Sequence, residues 1–185
     1  MKKLIINADD FGYSKENNEA VKLGYESGII TSASIMANMN GFEHAVKEIF
    51  PAAQNLDLGF HFNIIEGKSL SAASLLCDSN NNFNSNYIQM IGKSSNKKFL
   101  NQIEQEFRTQ IEKVLKYCSI SHIDSHVHIH SIPAIFNLII KLAGEYGIKY
   151  IRTQKEIPYI IWNKSFNGKY PVNILKNIIL NNYTN

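Results

Sequence analysis

His122-Ile123-Asp124-Ser125-His126-Val127-His128-Ile129-His130 holds four of the chain's six histidines and one carboxylate within nine residues. Read as a strand, its period of two puts His122, Asp124, His126, His128 and His130 on one face and the intervening residues on the other. Such a face can be solvated, or its rings can be bonded within the fold, but clustered imidazoles beside a carboxylate point to a metal or catalytic site. Same-face neighbours on a strand lie about 6.6 Å apart, so two adjacent histidines can lean toward one ion but five side chains cannot. Further ligands must come from other segments, and the fold must bring them there.

The segments that precede it supply candidates. Leu4-Ile5-Ile6 reads as a short buried parallel strand that delivers Asn7, Asp9 and Asp10 at its C-terminal end. Ser14 suits the N-cap of a helix running to about Gly28, with Ala20, Val21, Leu23 and Tyr25 on its inner side. Ile29 to Ala37 is rich in β-branched and apolar residues and reads as a second strand; a helix from about Gly41 to Phe50 is expected to stop before Pro51. Leu56 to Ile64 reads as a third strand and carries His61. Residues 66–97 are rich in Ser and Asn and read as a long excursion with short helical pieces, of the kind that shapes substrate access.

Beyond the excursion, Phe99, Leu100, Ile103, Phe107, Ile111, Val114 and Leu115 recur at helical spacing, predicting an amphipathic helix from Lys98 to about Tyr117. The histidine-rich strand follows, then a helix from Pro133 to about Tyr146 stopped by Gly147, and a strand from Ile148 to Arg152. A last helix is expected near Val172 to Leu180. This alternation predicts an α/β fold with a parallel sheet, open or curled into a barrel, and the scattered ligands favour the barrel. In a (β/α) barrel the C-terminal ends of several strands face one mouth, where Asp9, Asp10, His61 and His126 can meet. An eight-stranded barrel typically takes about 250 residues, so the chain is short for closure.

Composition bounds the rest. With 185 residues, 44% of them hydrophobic, one domain spanning residues 1–185 is expected. The net charge of +3 comes from scattered lysines rather than a basic run, so nucleic acid is not an expected partner. Met1-Lys2-Lys3 and a short apolar run broken by Asn7 match neither a signal peptide nor a membrane span, which predicts a cytoplasmic protein. Cys77 and Cys118 lack metal-ligand spacing and are expected to be reduced thiols.

Four motifs in order carry a family resemblance: Asn7-Ala8-Asp9-Asp10-Phe11-Gly12; Gly28-Ile29-Ile30-Thr31-Ser32; Gly59-Phe60-His61-Phe62-Asn63 with Glu66-Gly67; and the stretch from His122 to His130. Together they resemble the YdjC-like carbohydrate deacetylases, which include chitooligosaccharide deacetylases. The resemblance implies a distorted (β/α), TIM-like barrel and a metal-dependent hydrolase that removes acetyl groups from N-acetylated sugars. It implies Asp10, His61 and His126 as metal ligands and Asp9 as catalytic base. His122 and Asp124 are expected behind the ligands or against substrate. His128 and His130 are candidates for the leaving-amine proton, and Arg152 for an ion pair or for orienting site or sugar. Family members are usually longer, with a further histidine near the C-terminus; none follows His130, so the C-terminal part of the pattern is expected to be missing.

Two histidines and a carboxylate suit zinc on ligand softness, while the family association favours magnesium, so Mg2+ is expected first and Zn2+ second. The expected partner is a small oligosaccharide; a homodimer is left open and no membrane is implied. Two rival readings remain: a metal-dependent phosphoesterase on a similar barrel, which normally wants a second metal or cationic groups against phosphate charge, and a catalytically impaired metal-binding homologue. Phe11, Tyr13, Phe60 and Phe62 are candidates for stacking on sugar rings or for the core.

Overall fold

The computed structural model describes residues 4–153; the helix expected near Val172 to Leu180 lies outside them. Five parallel strands form one sheet in the order β1-β2-β3-β4-β5: β1 Asn7–Phe11, β2 Ser32–Ile35, β3 Asp57–Phe62, β4 His122–Ser125 and β5 Tyr150–Ile151. The crossovers carry α1 (Lys15–Glu26), α2 (Phe42–His44), α3 (Tyr87–Lys93), α4 (Lys97–Leu115) and α5 (Pro133–Glu145). Strand order follows chain order without the reversal that marks a doubly wound sheet, which is consistent with a distorted barrel. Among the described residues no helix is long and apolar enough to cross a membrane.

The two faces of the sheet differ in chemistry. In register, Ala33 pairs Leu58, Ile35 pairs Phe60, and Phe60 pairs Ile123, giving an apolar face. Helix α4 covers it, with Phe107 edge-on to Phe60 at 5.1 Å between ring centroids. The alternate positions pair Asn7 with Ser32, Ser34 with Gly59, and His61 with Asp124. That second face is polar, and it leads to the C-terminal strand ends, where parallel α/β sheets place their ligands. Helix α4 follows most of its sequence pattern: Phe99, Ile103, Phe107, Ile111 and Val114 are buried, while Leu100 is half-buried and Leu115, in the last turn, is exposed.

Several expectations require correction. Leu4 and Ile5 are 79% and 74% exposed rather than a buried strand; ordered pairing starts at Asn7, whose amide bonds Ser34 and Asp9. On α1, Asn18 and Val21 are the buried residues, while Ala20 and Leu23 are exposed. Asn18 fixes that rotation, accepting from Gly12 N at 2.7 Å and donating to Gly41 O at 2.8 Å. The Ser14 cap is present, accepting from Asn17 N. Helix α2 does not stop before Pro51 but runs into a π turn, Ala45–Ile49, and a 3-10 turn, Phe50–Ala52. Pro51 is tolerated there because a helical first turn leaves its N–H position without a partner in any case.

The largest correction concerns the histidine stretch. Extended backbone ends at Ser125, and His126–Ser131 form a 3-10 segment kinked by Val127 (φ 48°) and His128 (φ 57°). A β-branched residue in left-handed backbone is sterically disfavoured, and Ser131 Oγ donating to His128 O and Ile132 N donating to Ile129 O close the turn that follows. Only His122 and Asp124 therefore share the predicted strand face; His126, His128 and His130 are aimed by the turn.

Candidate metal centre

Strand β1 brings two successive carboxylates to the C-terminal end of the sheet through a break in its ladder. Its pairing with β2 shifts register between Ala8 and Phe11, and Asp10 within the bulge has φ 62°. A bulge turns consecutive side chains out of strict alternation, which lets Asp9 and Asp10 serve one site. The turn is tied down by Asn17 Nδ2 and Tyr13 N, both donating to Asp10 O, at 2.5 and 3.0 Å. Gly12 completes it at φ 89°, where a Cβ would come within 2.9 Å of Met36 O.

Asp10 Oδ1 lies 3.1 Å from His61 Nε2 and 2.9 Å from His126 Nδ1. One ligand atom from each of the three residues falls within 4.8 Å of the others. Two imidazoles and a carboxylate are a donor set for a divalent cation, and cis ligands of an octahedral ion at about 2.1 Å stand roughly 3 Å apart. The trio fits such an ion. A second group, Asp9, His61 and Asp124, meets the same distance criterion. Arg152, however, already donates to both Asp9 oxygens at 2.7 and 2.8 Å and to Asp124 Oδ2 at 3.3 Å. Its positive charge opposes a cation there, so the first trio is the better site.

His61 is almost fully buried, and each ring nitrogen faces a carboxylate: Asp124 Oδ1 stands 2.6 Å from Nδ1, opposite Asp10 at Nε2. Burial opposes its charge, yet the two carboxylates outweigh it and raise the imidazole to about 9 in the metal-free protein. Asp10, bonded by His126 and His61, is held well below the usual carboxylate range. Burial raises Asp124, but its bonds from His61 and Ser34 leave it below its ordinary value.

Ser34 is a junction that carried no assignment from the sequence. Its hydroxyl donates to Asp124 Oδ2 at 2.8 Å, and its oxygen receives Asn7 Nδ2 at 2.9 Å and faces His122 Nε2 at 3.2 Å. His122 is thus a support for the Asp124 side of the site. Gly59 makes room for it, since a Cβ there would lie 2.2 Å from His122 Nε2. His128 and His130 stand outside both ligand groups. His130 is fully buried with Nδ1 2.5 Å from Ser125 Oγ, and burial first, then the charge of His128, pushes it down to about 4. Of the four candidate stacking aromatics, Phe11, Phe60 and Phe62 are core, whereas Tyr13 is exposed at the mouth. Glu66, quoted with the third motif but given no role there, stands close by, its carboxylate 3.7 Å from His126 Nε2 and 3.2 Å from Tyr13 OH.

The fold and site define an α/β protein with a histidine–carboxylate cluster at the C-terminal ends of parallel strands. The chain belongs to the YdjC-like protein family, whose model matches residues 3–181. A carbohydrate deacetylase of Clostridium beijerinckii is 38% identical over 148 residues, covering 79% of this chain and 58% of that protein. One from Brevibacillus brevis is 38% identical with 79% and 57% covered, and one from Oceanobacillus iheyensis is 36% identical with 86% and 69% covered. The chain thus spans less than three-fifths of the length of the first two. An Enterococcus faecalis V583 structure, described as a candidate cellobiose-phosphate cleavage protein, superposes with a TM-score of 0.72 at 24% identity. It covers 84% of this chain and 60% of its own, a likeness of fold.

Proposed function

We propose that this protein is a carbohydrate deacetylase, a metal-dependent hydrolase that removes acetyl groups from N-acetylated sugars such as chitooligosaccharides. The observation that carries the reading is Asp10 Oδ1 seated between His61 Nε2 and His126 Nδ1. The names of the curated relatives support the reaction. Asp10, His61 and His126 would hold the cation, Mg2+ first on family grounds and Zn2+ second on ligand softness. When bound it supplies Lewis acidity toward the acetyl carbonyl and a water of lowered pKa.

The protein's own groups do the rest. Asp9 takes the proton of the attacking water. Asn7 Nδ2 at 2.7 Å and the two Arg152 contacts fill three of the roughly four acceptor positions of that carboxylate, which leaves one for the proton. As the C–N bond breaks, the departing amine must gain a proton. His130, neutral near pH 7 and buried, is a poor source; Asp9, protonated in the first step, holds one within the same cluster. Arg152 is engaged by Asp9 and Asp124, so it offers little counter-charge to a phosphate, which weighs against the phosphoesterase reading.

The test is acetate release from N-acetylglucosamine oligomers, with nitrophenyl phosphate hydrolysis as control. Acetate release that stops in Asp9→Asn while divalent-cation binding persists supports the reading. Phosphate release without acetate release overturns it, and unchanged turnover in Asp9→Asn removes Asp9 as the base.

A further inference from the structure

Asn7 opens β1 two residues before Asp9, and both hydrogens of its amide are committed. Nδ2 donates to Asp9 Oδ1 at 2.7 Å and to Ser34 Oγ at 2.9 Å. Ser34 in turn donates to Asp124 Oδ2 at 2.8 Å, so the donors run in one direction, from amide to hydroxyl to carboxylate. A flipped amide would turn its carbonyl oxygen onto the Asp9 carboxylate and onto a hydroxyl whose proton is already given to Asp124, so one orientation is stable. The remaining atom, Asn7 Oδ1, is buried with no hydrogen-bond partner among the described residues, an arrangement that lowers stability. The side chain is held by its donors alone.

Arg152 holds the same carboxylate in a different way. A single nitrogen, Nη1, donates to both Asp9 oxygens, at 2.7 and 2.8 Å. A donor on the bisector of a carboxylate fixes its distance and heading, but the plane of the two oxygens can still turn about Cβ–Cγ, a soft torsion in aspartate. An off-axis contact is needed to set that plane, and Asn7 Nδ2 on Oδ1 supplies it. The two oxygens thereby become unlike: Oδ1 accepts from Asn7 and Arg152, and Oδ2 from Arg152 alone. Each carboxylate oxygen has two lone-pair directions, so the open one lies on Oδ2. Ligand atoms of Asp9, His61 and Asp124 lie within 4.8 Å of one another, which sets this carboxylate beside the His61 end of the trio.

We propose that Asn7 is a positioning residue for Asp9: by bonding Oδ1 it sets the plane of the carboxylate and leaves Oδ2 as the oxygen that faces the attacking water. The role of Asp9 rests on the proposed function; the orientation of its carboxylate does not. Through Ser34 and Asp124 the same amide is joined to His61, so base and ligand share one hydrogen-bonded frame. Such frames matter because a misplacement of about 1 Å at a reacting group can cost about 100-fold in rate.

The test uses the full chain in three measurements: acetate release from N-acetylglucosamine oligomers, calorimetric titration with Mn2+ alone, and crystal structures of wild type and variant. Asn7→Ala is expected to lower kcat by about 10–100-fold while KM and Mn2+ affinity stay within about twofold of wild type, since neither substrate nor metal ligands lose a contact. In the crystal its Asp9 carboxylate is expected to turn about Cβ–Cγ or to take more than one orientation. Wild-type kcat, an unturned carboxylate, or a loss of Mn2+ affinity as large as the loss of kcat overturns the proposal, the last because it marks a general loosening. Should Asn7→Ala lose its folded spectrum, Asn7→Leu, of similar shape but without donors, decides by the same readouts. A wild-type crystal structure in which Asn7 Nδ2 does not meet Asp9 Oδ1 overturns it outright. If the wild-type chain releases no acetate, the proposed function falls, while the paired crystal structures still decide whether Asn7 sets the Asp9 carboxylate.

Discussion

His61 and Asp124 are direct neighbours across the β3–β4 ladder, and His61 Nδ1 stands 2.6 Å from Asp124 Oδ1. The contact is made by strand register, between two side chains that are both buried. It fixes the ring so that Nε2 points at Asp10.

Asp124→Asn should therefore weaken divalent-cation binding by about 10–100-fold, because the charge that orients His61 and raises its basicity as a ligand is lost. Calorimetric titration with Mn2+ reads this directly. An affinity equal to wild type would show that Asp124 does not orient the ligand.

The raised value of about 9 for His61, against an ordinary 6.5, sets a pH window. A folded-state value above the unfolded one stabilises the metal-free protein fully below about pH 6.5, and that contribution is lost as pH rises through about 9. A cation must displace the same proton, so its affinity should climb across this window, by up to about tenfold per pH unit. Thermal melts with and without Mn2+ should diverge as pH rises; parallel curves would contradict the coupling.

Glu106 is fully buried and accepts from Ser69 Oγ, Leu70 N, Ser71 N, Ser71 Oγ and Gln110 Nε2. Glu106→Ala strands those donors, and the expected cost is at least about 3 kcal/mol, since each buried unsatisfied group costs about 1–3. Urea unfolding measures it. A loss below about 1 kcal/mol would mean that water replaces the carboxylate.

Gly59→Ala forces the His122 ring away, because the new methyl would sit 2.2 Å from Nε2. The contact of His122 with Ser34 should break, with a cost of about 1–3 kcal/mol from overpacking. The His122 ring signals of the variant report the displacement, and unshifted signals would refute it.

Much of the architecture was legible because it follows periodicity. The apolar spacing from Phe99 to Val114 names the buried stripe of α4, and Ser14 marks the start of α1. Asp10, His61 and His126 were readable as a ligand set through the family resemblance, and the chain places their ligand atoms close together. The left-handed backbone at Asp10, Val127 and His128 was not legible, since valine is disfavoured there and the modest left-handed preference of aspartate and histidine is too weak to place a turn. Alternation thus carried the histidine strand five residues too far. Ser34 escaped notice because a small hydroxyl on a strand looks like filler until its neighbours across the sheet are known.

The pairing of His61 with Asp124 by ladder register makes the cation a gauge of the backbone beneath it. A slip or fraying between the third and fourth strands would part the two side chains while the helices still covered the apolar face. Titrating the ion should then reveal loosened variants that circular dichroism would score as intact.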